Sequence, residues 1–228
     1  YSKSNIKEYI MKKRILLLAL ALLLAVSTVQ TVNVEASART ISWIVSVTYQ
    51  NVGNAPTAVQ VAFYQEGSAT AITYNAGTLN AGAAASFYMG NVSDISAGFR
   101  GNAVMASSQP LVATVVQFHQ NAPGETVKMR MLSNGFSSND GSEQYLVATV
   151  LGNTFSRTTI FSVQNLESEE ITATLKFYNA TNGNLDSTKS VDIPALSSKY
   201  VELDKTSMTG LPSTTFNGSV IITAASRL

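Results

Sequence analysis

The chain has 228 residues, enough for one large domain or two of about 100 residues, and only 13% of them are charged while 45% are hydrophobic. This composition excludes a disordered polyelectrolyte, and the absence of cysteine means that an exported form would depend on core packing and sheet hydrogen bonds. Five of the fifteen basic and two of the fourteen acidic residues precede Arg39, so residues 39–228 hold 10 basic and 12 acidic residues, a net charge of −2. This part of the chain lacks the clustered cations of a nucleic-acid-binding surface.

The N-terminal segment has the three parts of a secretory signal peptide. A basic start at residues 11–14 is followed by an apolar run at residues 15–26 and then by Ala36-Ser37-Ala38. The apolar run is shorter than the roughly 20 residues that a membrane-spanning helix needs. We therefore expect residues 1–38 to comprise upstream residues and a signal-peptide helix, cleaved between Ala36 and Ala38. The mature chain would then be extracellular or on the cell surface, without a membrane segment.

Beyond the leader, apolar residues alternate with period two in short segments separated by turn residues, which predicts an all-β chain. In the first part, the predicted strands lie at residues 43–49, 59–63, 71–75, 84–89, 101–107 and 111–118. The last of these is apolar on both faces, which is typical of a strand in the middle of a sheet.

The second part of the chain repeats the same anchors in the same order. The residue pairs separated by 114 positions are Val47 and Phe161, Tyr49 and Val163, Asn51 and Asn165, Phe63 and Phe177, and Tyr64 and Tyr178. Farther on, Phe99 and Gly101 correspond to Phe216 and Gly218 at a spacing of 117, so one loop is longer by three residues. A repeat of this length built from short strands indicates two tandem antiparallel β-sandwich modules.

We place module 1 at residues 39–133 and module 2 at residues 134–228. In module 1 a predicted strand starts at Leu111, whereas module 2 reaches the corresponding point at Leu228, where the sequence stops. Module 2 is therefore expected to lack its last strand, which would leave an open sheet edge. On this interpretation the sequence is a fragment, and the natural protein continues past Leu228.

Several motifs of the second module resemble a repeat found in secreted bacterial surface proteins. They are residues 134–138, Tyr145-Leu146-Val147, residues 158–165, Phe177-Tyr178 and Gly210-Leu211-Pro212, although the repeat has Pro where this chain has Val147. The repeat is similar to CARDB-like and other immunoglobulin-like sandwich modules of cell-surface proteins. The resemblance covers most of residues 42–228. It implies extracellular structural, adhesive or accessory binding work, and it carries no catalytic residue over to this chain.

No residue pattern points to catalysis. His119 is the only histidine, and the Gly-x-Ser-x-Gly turn of serine hydrolases is absent. A zinc site needs several His or Cys ligands. Residues 139–143 offer oxygen ligands that could suit calcium, but they depart from the Asp-x-Asp-x-Asp-Gly pattern, and a plain turn is favoured. We expect no enzyme activity, no metal and no cofactor.

Binding candidates come from the aromatic pairs of two predicted strands. Period two places Phe63 and Tyr64 on opposite faces, and likewise Phe177 and Tyr178, so one member of each pair is expected in the core and the other at least partly exposed. Tyr64 and Tyr178 are the candidate exposed members. The sequence thus favours a secreted, non-catalytic structural or adhesive cell-surface module whose partners are adjacent repeats, cell-surface proteins or polysaccharide. The alternative is a carbohydrate-binding accessory module of a larger extracellular enzyme.

Overall fold

A computed structural model describes residues 42–120 and 130–228, and within these ranges the protein is all-β. The strands are β1 (Ser42–Asn51), β2 (Thr57–Gln65), β3 (Ala71–Leu79), β4 (Ala84–Tyr88), β5 (Gly101–Ser107), β6 (Leu111–Gln120), β7 (Arg130–Asn134), β8 (Gln144–Gly152), β9 (Ile160–Gln164), β10 (Ile171–Asn179), β11 (Leu185–Ile193), β12 (Ser198–Glu202) and β13 (Phe216–Ala224). A one-turn helix, α1 (Thr206–Thr209), and 3-10 turns at Met89–Asn91 and Ser138–Asp140 join some of them. The expected signal peptide lies outside the described residues. Within the described ranges, no helix has the length and apolar character needed to cross a membrane.

The strands form four sheets in which every pairing is antiparallel. In residues 42–134, here called the N-terminal half, the sheet orders are β4-β1-β6-β7 and β3-β2-β5. In residues 137–228, the C-terminal half, they are β11-β10-β13-β8 and β12-β9. The strand β6 lies between β1 and β7, which confirms the central position predicted from its two apolar faces.

Each half has its own hydrophobic cluster, to which both of its sheets contribute. In the N-terminal half the buried residues include several from β1, β2 and β4: Val47, Tyr49, Val59, Val61, Phe63 and Phe87. In the C-terminal half the buried residues include several from β10, β12 and β13: Leu175, Phe177, Val201, Phe216 and Val220. Because alternate residues of a strand face opposite sides, one side of β2 and of β10 fills the cluster while the other faces outward.

The aromatic packing of the two clusters is alike. The Phe63 and Phe99 ring centroids are 6.3 Å apart and the rings are inclined at 87°, and Phe177 and Phe216 are related by 6.1 Å and 86°. Edge-to-face contacts of this kind align the positive ring edge with the negative face of its partner. The residues that correspond by spacing in the sequence therefore occupy corresponding places in the two cores.

The predicted strands agree well with the observed ones. β3 extends to Leu79 and β6 to Gln120, beyond their apolar cores. The strands β11 and β12 do not stand out in the sequence, because polar residues such as Lys189 and Asp192 interrupt their apolar pattern. Among the described residues, β9 pairs only with β12, whereas its counterpart β1 pairs with both β4 and β6.

Candidate functional site

The two halves meet at a polar contact surface, here called the junction. The N-terminal half supplies residues 65–67, at the end of β2 and just after it, and residues 100–102, just before β5 and at its start. The C-terminal half supplies residues 196–202, which include the turn before β12 and the strand itself. The junction therefore joins one end of the N-terminal half to the strand β12 of the C-terminal half.

Arg100 is the centre of the junction. Its Nη1 donates to Glu202 Oε1 at 2.6 Å, and its Nε lies 3.0 Å from Glu66 Oε2. The guanidinium carbon is 4.1 Å from the centre of the Tyr200 ring, a cation–π distance. The planar guanidinium can hold two carboxylates and an aromatic face at once, which a lysine could not do. Arg100 thus links carboxylates from both halves of the chain.

Tyr200 also joins the two halves. Its hydroxyl donates to the Gly101 carbonyl at 2.9 Å, and its backbone N–H donates to Glu66 Oε1 at 2.9 Å. Burial raises the pKa of the Tyr200 hydroxyl above its ordinary value of 10.0. The positive charge of Arg100 opposes this rise and the negative charge of Glu66 adds to it, with a net upward shift. The neutral hydroxyl is therefore the form that the folded protein favours.

Further hydrogen bonds hold the turn before β12 against the N-terminal half. Gly67 N–H donates to the Ser198 carbonyl at 3.1 Å, the Ser197 hydroxyl to the Gln65 carbonyl at 3.2 Å, and the Asn102 amide to the Leu196 carbonyl at 2.9 Å. Ser197 and Ser198 are fully buried. Because backbone groups take part along with side chains, the contact favours one position of the C-terminal half relative to the N-terminal half.

A second candidate site lies at the opposite end of the C-terminal half, in a cleft here called the end cavity. It has a volume of about 270 Å³ and is formed by the loop after β10, the start of β11, and the segment leading into β13. Its polar lining consists of Thr154, Asn179, Thr181, Asp186, Ser213, Thr215 and Asn217. The Asn179 amide donates to Asp186 Oδ2 at 2.9 Å. The cavity is therefore rich in hydroxyl and amide groups, with a single carboxylate.

Thr154, which lines the end cavity, begins a two-residue hairpin. Thr154 and Arg157 exchange backbone hydrogen bonds of 3.1 and 3.0 Å around Phe155 and Ser156. These two central residues have φ values of 54° and 56°, the signature of a type I′ turn. The Thr154 hydroxyl donates to the Gly152 and Phe216 carbonyls at 2.8 and 2.7 Å, which anchors the hairpin to the sheet. Phe155 is 79% exposed.

The end cavity occupies the place in the C-terminal half that the junction occupies in the N-terminal half. At the spacings of 114 and 117 residues, Gln65, Gly67 and Arg100 correspond to Asn179, Thr181 and Asn217. The charges differ, however, because Ala180 stands at the position of Glu66 and Asn217 at that of Arg100. Corresponding ends of the two halves thus have different chemistry.

The two tyrosines singled out as binding candidates lie at corresponding positions of β2 and β10. Phe63 and Phe177 are buried, as expected for one member of each pair. Tyr178 is half-buried on β10, next to Asn179 of the end cavity. The expectation that Tyr64 is exposed is wrong, because it is only 8% exposed. Tyr64 lies at the end of β2 that leads into the junction. The alternating pattern along a strand does not show which residues lie beside that strand in the folded chain.

The other polar motifs have structural partners. Ser137 N–H donates to Asp140 Oδ2 at 2.9 Å and Asn139 N–H to the Ser137 hydroxyl at 3.2 Å, so Asp140 caps a 3-10 turn. The described ranges contain no group of three or more His, Cys, Asp or Glu residues placed to hold a metal ion. His119 lies in β6 opposite Trp43, and its side chain is outside the described residues.

Sequence reasoning did not find Arg100, Glu202 or the Phe155 hairpin. Arg100 and Glu202 are 102 positions apart, so no local pattern links them. Phe155 did leave a signal, since it is a single aromatic residue in the otherwise polar run of residues 153–158. An aromatic in a polar loop indicates either a small satellite core or an exposed contact residue, and here the ring is exposed.

Comparison of the chain with protein-family models, with curated protein sequences and with solved structures finds no match.

Proposed function

We propose that this chain is a secreted, non-catalytic structural module of a bacterial cell surface. In this proposal each half is an immunoglobulin-like sandwich, as the motif resemblance implies, and the two are joined into a spacer of fixed geometry. The separate hydrophobic clusters and the corresponding aromatic pairs support the division into two modules. The chain would carry adhesive or wall-associated segments at a set distance and orientation.

The observation that carries this proposal is the junction. Two modules on a flexible tether need no contact, whereas here Arg100 binds carboxylates of both halves and stacks on Tyr200. Its carboxylate partners Glu66 and Glu202 are three-quarters or more buried, which reduces screening of their attraction by solvent. A contact with this many directional bonds favours one relative orientation of the halves.

A pulsed electron–electron resonance experiment can test whether the joint is rigid. The chain has no cysteine, so Thr73→Cys in β3 and Ser190→Cys in β11, both at exposed positions, would place one spin label in each half. We expect a single narrow distance distribution in the parent chain. Arg100→Gln should broaden it, because the link between Glu66 and Glu202 is lost while the polar surface is kept.

Lys176→Gln is the matched control. It removes one cation from the outward side of β10, whose sheet does not include the junction strand β12, and should leave the distribution narrow. A broad distribution in the parent chain would contradict the spacer proposal. Export can be tested separately by fusing residues 1–38 to a reporter and sequencing the N-terminus of the secreted product, which should begin after Ala36 or Ala38.

A further inference from the structure

We propose that the open edge of β9 binds an extended peptide strand from another polypeptide, antiparallel to β9 and with apolar residues at alternate positions. The partner would complete the sheet β12-β9 as β6 completes the corresponding sheet of the N-terminal half. This inference goes beyond the spacer role and does not depend on it. It rests on the shared register of the two halves, the direction of the backbone groups of β9 and the path of the chain after β13.

The pair β12-β9 has the same register as the pair β4-β1 of the N-terminal half. At the spacing of 114 residues, residues 46–50 of β1 correspond to β9, and β4 corresponds to β12. The pairing agrees as well, with Ser46 opposite Tyr88 and Ile160 opposite Glu202. Among the described residues β9 has no neighbour on its other side, whereas β1 has β6 there. The open edge of β9 is therefore the counterpart of the edge of β1 that β6 covers.

Three residues of β9 direct their backbone groups toward this edge. Odd-numbered residues bond to the strand β12, as shown by Asn165 N–H, which donates to the Ser197 carbonyl at 2.9 Å. Because successive residues of an antiparallel strand bond to opposite neighbours, the N–H and C=O groups of Ile160, Ser162 and Gln164 face away from β12. We call these the open-edge groups. The strand contains no charged residue and no proline, which commonly protect an edge from pairing.

The segment after β13 follows the path that the corresponding segment of the N-terminal half takes into β6. Leu166 N–H donates to the Arg227 carbonyl at 3.3 Å, and Val52 N–H donates at 3.0 Å to the carbonyl of the residue before β6. Leu228 is buried in the C-terminal cluster, and its counterpart at the spacing of 117, Leu111, packs against the N-terminal cluster. The first place on the edge is thus filled, and a partner strand would occupy the places beyond Leu228.

The inner side of β9 is less well covered than that of β1. In the N-terminal half, Ala113 and Val115 of β6 pack against the hydrophobic cluster, and Val115 lies opposite Val47. Val47 is only 6% exposed, whereas its counterpart Phe161 is partly buried at the border of the C-terminal cluster. A partner strand with apolar residues at the two corresponding inner positions would cover Phe161. This requirement defines the alternating apolar pattern of the partner.

A second copy of this chain, pairing through its own β9, is the competing occupant. Edge-to-edge pairing of two β9 strands could satisfy the same backbone groups. However, the inner side chains of each β9, Phe161 and Val163, already pack against the cluster of their own chain. They could not also supply the apolar contacts that Ala113 and Val115 give to the N-terminal cluster. A separate strand therefore fits the edge better than a second copy.

The test is a nuclear magnetic resonance titration of the full chain with a synthetic peptide that has the sequence of residues 112–118. In the free chain the open-edge amides should exchange rapidly with solvent, whereas the amides of Phe161 and Val163, which bond to β12, should be protected. Saturating peptide should slow exchange at the open-edge amides about tenfold or more. A nuclear Overhauser contact between the α-protons of Val163 and of the peptide residue Ala113 would establish the antiparallel register.

The control peptide has the same sequence with Ala113→Asp and Val115→Asp. Both side chains pack against the N-terminal cluster in β6, so an aspartate at either place would be buried without a partner. We expect this peptide to leave the open-edge amides in rapid exchange. Equal protection by the two peptides would show that binding does not depend on the inner positions and would contradict the proposal.

Two variants at one position separate loss of the edge from loss of a side chain. Ser162→Pro removes an N–H that faces the open edge and is not bonded to β12, so the fold should be kept and peptide binding lost. Ser162→Ala keeps the N–H and should bind the peptide as the parent chain does. A third arm does not depend on the folding of a variant: fusing the sequence of residues 112–118 directly after Leu228 should raise the melting temperature and prevent binding of the free peptide.

Several outcomes would overturn the proposal. One is rapid exchange of the open-edge amides even with saturating peptide, and another is undiminished peptide binding by Ser162→Pro or by the fused chain. Slow exchange of the open-edge amides in the dilute free chain would show that the edge is already covered. Self-association that protects the same amides without peptide would identify a second copy as the occupant.

Discussion

The buried amide groups of Asn51 and Asn165 make the same hydrogen bonds in the two halves, 114 residues apart. Each Nδ2 donates to three backbone carbonyls and each Oδ1 accepts a backbone N–H two residues later. The carbonyl partners are Ala55, Leu79 and Asn80 for Asn51, and Glu169, Ile193 and Pro194 for Asn165. Each partner of Asn51 is again 114 positions before the corresponding partner of Asn165. Both side chains tie the turn after a strand to the end of a strand in the opposite sheet.

Replacing either asparagine should destabilise its half strongly. Asn51→Ala or Asn165→Ala leaves buried carbonyls without a donor, and we expect a loss of about 2–4 kcal/mol in the free energy of unfolding. Urea denaturation followed by circular dichroism measures this. Asn75→Ala is the control, because Asn75 is exposed and accepts one local bond from Gly77, so its cost should stay near 0.5 kcal/mol. Equal costs for Asn75 and Asn165 would show that the buried network contributes little.

Two glycines at corresponding places should not tolerate a side chain. A Cβ at Gly101 would overlap the Tyr64 carbonyl oxygen, and one at Gly218 the Tyr178 carbonyl oxygen. Since backbone atoms cannot move aside easily, we expect Gly101→Ala and Gly218→Ala to cost about 1–3 kcal/mol each, measured by thermal unfolding. At Gly135 the nearest atom to an added Cβ is Ala113 Cβ at 3.4 Å, so Gly135→Ala should be nearly neutral.

The junction should weaken in alkaline solution. Because the pKa of Tyr200 is raised in the folded protein, the neutral hydroxyl contributes stability that is fully present below pH 10.0 and is lost as the pH rises through the higher folded value. Absorbance titration of tyrosinate, combined with melting temperatures from about pH 8 to pH 11, follows this loss. Tyr200→Phe should lower stability slightly at neutral pH, since the bond to Gly101 is gone, but should reduce the alkaline decline. An unchanged decline would show that Tyr200 does not contribute to it.

A destabilising substitution in one hydrophobic cluster should affect only the half that contains it. Phe177 is fully buried in the C-terminal cluster, and Phe177→Ala should cost about 3–5 kcal/mol through lost burial and an unfilled cavity. Because the N-terminal cluster shares no residue with it, we expect faster amide hydrogen exchange in β10 and β13 while β2 keeps its protection. Phe63→Ala should give the opposite pattern. Equal loss of protection in both halves would mean that the halves unfold together.

Most strands and the core residues of β2 and β10 could be predicted from the sequence because their signals are local. Val59, Val61 and Phe63 alternate with less buried residues, and the same alternation recurs at Ala173, Leu175 and Phe177. The site residues could not be predicted in this way. Tyr64 has the alternation of an exposed residue but is buried, and Arg100 is one of several scattered cations until Glu202 is brought next to it.

By itself, the sequence determined most of the strands, the side of β2 and of β10 that enters a core, and which residues of the two halves correspond. These properties follow from the two-residue period of the extended backbone and from turn residues, both of which act over a few positions. Only the tertiary structure decided that Arg100 joins Glu66 to Glu202, and that the corresponding end of the other half opens into a cavity lined by Asn179 and Asn217. Contacts between residues a hundred positions apart depend on how completed sheets pack against each other, and no local period encodes that arrangement.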